Sequence, residues 1–127
     1  NATTGTQVII SNGSLASNGY GFFTASGKRN IIHGGSTSLA NGSTTTNFEL
    51  WEGIHATGDR RFYINAGSPT SDAGNPNVPG TNFLLGKDNS NNYANGIYGE
   101  FLMLDIDAST AQRQAIETLL NNRWGIY

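Results

Sequence analysis

Apolar β-forming residues occur in this chain only in short runs, and turn chemistry closes each run before it can become a buried helix. Val8-Ile9-Ile10 gives way to Ser11-Asn12-Gly13-Ser14, Tyr20-Gly21-Phe22-Phe23 to Ala25-Ser26-Gly27-Lys28, and Ile31-Ile32 meets Gly34-Gly35. Asn-Gly pairs at Asn12-Gly13, Asn18-Gly19, Asn41-Gly42 and Asn95-Gly96 suit the positive φ of tight turns. This punctuation predicts about five or six short strands in an antiparallel sandwich or barrel, and it argues against a βαβ array.

Residues 47–57 set Phe48, Leu50, Ile54 and Ala56 against Glu49, Trp51, Gly53 and His55. Such alternation is the mark of a strand with two different faces. Gly58-Asp59 then turns the chain into Arg61-Phe62-Tyr63-Ile64-Asn65, a hairpin partner. Residues 66–82 contain all three prolines and read as one long loop. Strands are expected again at Phe83-Leu84-Leu85 and, after a polar break at 88–95, over 97–106. A helix closes the chain: Ser109 caps it, and Gln112 three residues on completes a capping box. Ala115, Ile116, Leu119 and Leu120 share its apolar face, Arg113 and Gln114 fall away from it, and Trp124 and Ile126 follow just beyond. A helix this short is marginal alone, so it is expected to dock on the sheet.

At 127 residues, residues 1–127 form a single domain with enough apolar residues (36%) for one core. Charged residues make up 13% and the net charge is −2, with basic pairs only at Lys28-Arg29 and Arg60-Arg61. Phosphate recognition needs clustered cations, so no nucleic acid is expected as partner. No apolar run approaches the ~20 residues that span a bilayer, so no membrane insertion is expected. The absence of cysteine excludes disulfides and thiolate metal sites. Solubility rests on Asn, Ser, Thr and Gly, a composition common in secreted and virion-surface β-proteins. Regularly spaced β-formers argue against disorder.

Catalytic patterns are weak. Glycoside hydrolysis needs two carboxylates flanking one bond. Asp105 and Asp107 share a strand face, but Glu100 points to the other, so a glycosidase is disfavoured. His33 and His55 have neither zinc-ligand spacing nor a nucleophile elbow beside them. No catalytic residue is predicted. The stretch Asp88-Asn89-Ser90-Asn91-Asn92-Tyr93-Ala94-Asn95 is dense in oxygen donors. Calcium is one candidate there, with Asp88 and Asn92 as ligands, against the plainer reading of a solvated polar loop. A glycan is another: Tyr93 offers a platform, and Asp88, Asn91, Asn92 and Asn95 supply groups that orient hydroxyls.

Several segments together resemble the concanavalin A-like, laminin G-like jelly-roll superfamily. Trp51-Glu52-Gly53-Ile54-His55-Ala56-Thr57-Gly58-Asp59 leads to Phe62-Tyr63-Ile64-Asn65-Ala66-Gly67, then Phe83-Leu84-Leu85-Gly86, then Asn95-Gly96-Ile97-Tyr98-Gly99-Glu100-Phe101-Leu102-Met103-Leu104. The ending, Asp107 to Gly125, is similar to the family's closing helix. Gly58 stands where many members have an aromatic residue, and Ala66 where they have glycine. The resemblance implies an all-β, antiparallel jelly-roll β-sandwich with one short C-terminal α-helix, used outside cells for carbohydrate binding or adhesion. A structural module of a surface or a virion (phage decoration or tail fibre) is the alternative. The resemblance begins inside the family's fold. Either the fold is a trimmed variant, or the missing first strands are expected on a preceding segment of the same precursor or from an oligomeric assembly, beside the glycan or surface protein expected as partner.

Overall fold

Most of the apolar runs become strands because their alternate side chains find a sheet face to bury against. In a computed structural model of the protein, which describes residues 5–13, 20–33, 38–56, 58–74, 82–88, 92–104 and 106–127, these strands form two antiparallel sheets followed by one helix. The strands are β1 (Gln7–Asn12), β2 (Tyr20–Ala25), β3 (Lys28–His33), β4 (Leu39–Ser43), β5 (Trp51–Ala56), β6 (Asp59–Ile64), β7 (Thr70–Asp72) and β8 (Phe83–Leu85). The helix is α1 (Thr110–Trp124). One sheet runs β4-β3-β2-β1-β8 and the other β5-β6-β7. The all-β sandwich with a C-terminal helix expected from the sequence is therefore present. No helix among the described residues is long and apolar enough to cross a membrane.

The core lies between the sheets. Ile31 and Leu39 of the larger sheet meet Phe62 of the smaller, with Phe22, Trp51 and Ile64 packed around them. Phe22, Trp51 and Phe62 form a tilted and edge-to-face trio with centroids 5.6–6.2 Å apart. Val8 and Phe23 are paired across β1 and β2 and are buried on the opposite face of the larger sheet from Phe22. A bulge in β1 between Val8 and Ile10 sets the Ile10 carbonyl against Gly21, where a Cβ would stand 2.1 Å from the oxygen. Backbone cannot yield as a side chain can. Gly21→Ala is therefore expected to destabilise by about 1–3 kcal/mol, read as a lower midpoint in urea with an unchanged slope.

Three expectations need correction. β4 and β7 were not expected: β4 contains Asn41-Gly42, and β7 lies inside the predicted long loop 66–82. Asn41 is drawn into a strand because its Nδ2 donates to the Phe62 carbonyl at 2.7 Å and its own carbonyl accepts from Arg29 at 3.3 Å. β7 is held to β6 by the Arg60–Asp72 ion pair. The predicted strand over 97–106 is not one, since residues 97–104 join no ladder. Phe101 stacks on Phe83 at 5.5 Å, Gly99 lies under the Trp124 indole, and Glu100 accepts from Arg123 and Trp124. Those contacts hold the stretch against β8 and the end of α1.

The helix starts where the sequence reading places it but runs further at its end. Ser109 forms the capping box with Gln112, Gly125 ends the helix in the left-handed conformation, and Trp124 is its last residue and not one beyond it. Its docked face is not the expected stripe. Leu120 is buried and Ile116 half-buried, but Leu119 and Ala115 are exposed and Glu117 is buried. Arg113, expected to face away, lies 4.0 Å over the Tyr63 ring and pairs with Glu117. Tyr63 is on the β6 face opposite Phe62, so a cation–π contact decides which side of α1 meets the sheet.

Candidate functional site

The polar break after β8 is a loop folded back on β1. The Gly86 amide donates to the Ile9 carbonyl at 2.7 Å, and Ala94 N donates to the Gly86 carbonyl at 2.8 Å. Tyr93 bridges both Val8 and Lys87, and Ser11 Oγ donates to the Lys87 carbonyl at 3.1 Å. Asp88 is buried at the centre, 3% exposed. Its Oδ1 accepts from the Asn92 amide at 2.9 Å and its Oδ2 from Asn92 Nδ2 at 2.8 Å, an arrangement that ties the loop shut.

Four of the five sequence-predicted ligand residues are described. Asp88 and Asn92 are engaged with each other, Tyr93 is 60% exposed, and the Asn95 amide donates to Gln7 Oε1 at 3.4 Å. Asn91 lies outside the described residues. The Lys87 ammonium sits 5.7 Å from the Tyr93 centroid, a neighbour that the sequence reading did not include. For calcium the geometry is specific: both Asp88 oxygens face Asn92 nitrogens, so the pair would have to part before either residue ligated a cation. No group of three or more His, Cys, Asp or Glu side chains converges among the described residues.

A concavity lies between the sheets. It is an open cleft of about 1180 Å³ whose walls include Tyr20, Phe22, Trp51, Gly53 and His55, with residues 94–104 along one side. The His55 ring lies 5.3 Å from Tyr20, and Tyr20 Oη reaches Met103 Sδ at 3.9 Å. Gly53 keeps the floor open, because a Cβ there would meet Phe22 and His55 at 2.9 Å.

The carboxylates are spread out. Glu100 accepts two bonds from Arg123 at 2.9 and 3.0 Å and one from Trp124 at 3.1 Å. The Trp124 bond, then Arg123, hold its pKa below the usual carboxylate range. Asp107 is exposed, and Asp105 lies outside the described residues. Glu52 behaves oppositely. It faces α1 from β5, its Oε1 is buried without a hydrogen-bond partner among the described residues, and Arg113 stands 3.8 Å from Oε2. Burial pushes its pKa up to about 7, against the opposing pull of Arg113. The sequence reading passed over Glu52, because its burial depends on a helix more than fifty residues away.

The basic pairs seen in sequence are divided between carboxylates. Arg29 pairs with Glu49, Arg60 with Asp72 and Arg61 with Asp59. No family model, curated protein or solved structure matches the chain.

Proposed function

We propose that the chain is a non-catalytic extracellular carbohydrate-binding or adhesion module of the concanavalin A-like, laminin G-like type, with residues 1–127 as one domain. The observation that carries this reading is the exposed Tyr93 ring on a loop fixed by buried Asp88. A flat aromatic face on a preorganised support stacks on a sugar ring with little ordering cost. Asn92 and Asn95 flank it, and Lys87 completes a polar rim.

A glycan array, run with calcium and with chelator, tests the proposal. Binding is expected, and Tyr93→Ala is expected to weaken it at least about tenfold, or about 1.4 kcal/mol, while the melting temperature holds. Loss of binding in chelator would show that binding requires calcium; a uniformly negative array would overturn the glycan reading. The second reading is a structural module of a surface or virion assembly. It is favoured by the apolar residues exposed along 97–104.

A further inference from the structure

An asparagine followed by glycine is open to attack by the backbone, because glycine puts no Cβ in the way of its own amide nitrogen. Asn12-Gly13, Asn41-Gly42 and Asn95-Gly96 lie among the described residues, and the fold holds them differently. Asn12 ends β1, paired with Tyr20 on one side and Phe83 on the other, and the buried Gly13 donates its amide to the Asn82 carbonyl at 3.0 Å. Asn41 lies in β4, where its Nδ2 donates to the Phe62 carbonyl at 2.7 Å. Asn95-Gly96 has neither restraint. Both residues are exposed and lie outside any strand or helix. Among the described residues, the Asn95 side chain and the Gly96 amide have no hydrogen-bond partner, while the Asn95 backbone amide donates to Gln7 Oε1 at 3.4 Å.

We propose that Asn95 is a spontaneous deamidation site, at which the folded chain gains a carboxylate on the loop that carries Tyr93. The Gly96 amide nitrogen gives its proton to hydroxide or buffer base and attacks Asn95 Cγ. A new C–N bond closes a cyclic imide, and the Cγ–Nδ2 bond breaks with release of ammonia. Water then opens the ring at either carbonyl, leaving aspartate or, with the main chain routed through the side chain, isoaspartate. No electrons are transferred, and solvent water is the only co-reactant. Nitrogen and carbon must be brought together for the attack, and an exposed, unbonded bend reaches that geometry without breaking a ladder. At Asn12 and Asn41 a strand must open first. The product adds one negative charge to a chain of net charge −2. It also replaces an amide that donates and accepts by a carboxylate that only accepts. The isoaspartyl form lengthens the main chain by a methylene between the anchor at Gln7 and residues 97–104. The proposal does not rest on glycan binding at Tyr93, and a negative glycan array leaves it standing.

Incubation of the folded protein in mildly alkaline buffer, followed by peptide mapping in a mass spectrometer, tests this. Asn95 is expected to convert at least about tenfold faster than Asn12 or Asn41, with isoaspartate among its products. In concentrated urea the three rates are expected to converge to within roughly threefold, since glycine follows each asparagine and no ladder remains. Gly96→Ala separates the chemistry from the fold. Gly96 is not in the left-handed region, and among the described residues an added Cβ would meet only Tyr98 Oη, at 4.0 Å. The variant is therefore expected to keep its melting temperature and to slow conversion at Asn95 by about tenfold. Conversion at Asn12 or Asn41 as fast as at Asn95 in the folded chain overturns the proposal, as does an Asn95 that reacts only in urea. A preference for Asn95 that persists in urea overturns it by removing the fold as the cause. A rate indifferent to Gly96→Ala overturns the attack by the Gly96 amide.

Discussion

Glu52→Gln is expected to raise the melting temperature by roughly 10 °C at pH 8 and by only a few degrees at pH 5. Burial holds the Glu52 carboxyl at about 7, against 4.5 when the residue is freely solvated. The folded chain therefore keeps this proton after the unfolded chain has lost it. The stability that the proton confers is whole below about pH 4.5 and drains away as pH rises towards 7. At about 1.4 kcal/mol per pKa unit, the wild type loses under about 1 kcal/mol by pH 5 and about 3 kcal/mol by pH 8. Glutamine has the same shape and no proton to lose. The groups facing Glu52 support this sign. Arg113 is already paired with Glu117 and stacked on Tyr63, and Tyr127, raised first by burial and then by Glu52, titrates above this window. Melting curves of both chains across pH 5–8 check it: parallel curves would mean that Glu52 is ionised throughout in the folded state.

Most of the sheet framework was legible because burial and propensity agree along single strands. Val8 to Ile10 and Tyr20 to Phe23 each alternate in burial, and Phe62 and Tyr63 are β-formers buried on both faces of β6. The capping box at Ser109 was legible for the same reason, since both partners lie within one turn. What was missed depends on partners distant in sequence. In β4, Leu-Ala-Asn-Gly-Ser reads as a turn, yet Leu39 buries in the core and Asn41 bonds to Phe62. Residues 97–104 have a strand's pattern, but their side chains fasten to Phe83 and Trp124 and leave the backbone off both sheets. At the candidate site, oxygen density singled out the stretch after β8, but it did not reveal that Asp88 and Asn92 would bond each other. Arg113 is the clearest case. Hydrophobic periodicity put it on the solvent side of α1, while the Tyr63 ring and Glu117 put it on the sheet.

Asp72→Ala is expected to cost about 3 kcal/mol, a large part of a small domain's stability. The cause is the buried cation whose carboxylate it removes. Arg60 is 1% exposed in β6, on the same face as Phe62, and Asp72 directly across the ladder in β7 receives its guanidinium, with Nε donating to Oδ1 at 2.8 Å. Asp72 also accepts from the Gly74 amide at 3.1 Å, so its loss frees the chain leaving β7 as well. Half-exposure of the Asp72 carboxylate lets water reach the vacated position, which places the cost at the low end of the ~3–5 kcal/mol typical of a broken buried pair. Removing both charges is a different case. Arg60→Met fills the same space without a cation, and with Asp72→Ser retaining an acceptor for Gly74 the double variant is expected to recover most of the loss. Urea unfolding of the two single variants and the double variant, analysed as a mutant cycle, measures this. If Asp72→Ala cost no more than a surface substitution, other contacts would be shown to carry the Arg60 charge in the folded chain, and β7 would owe its place to the ladder alone.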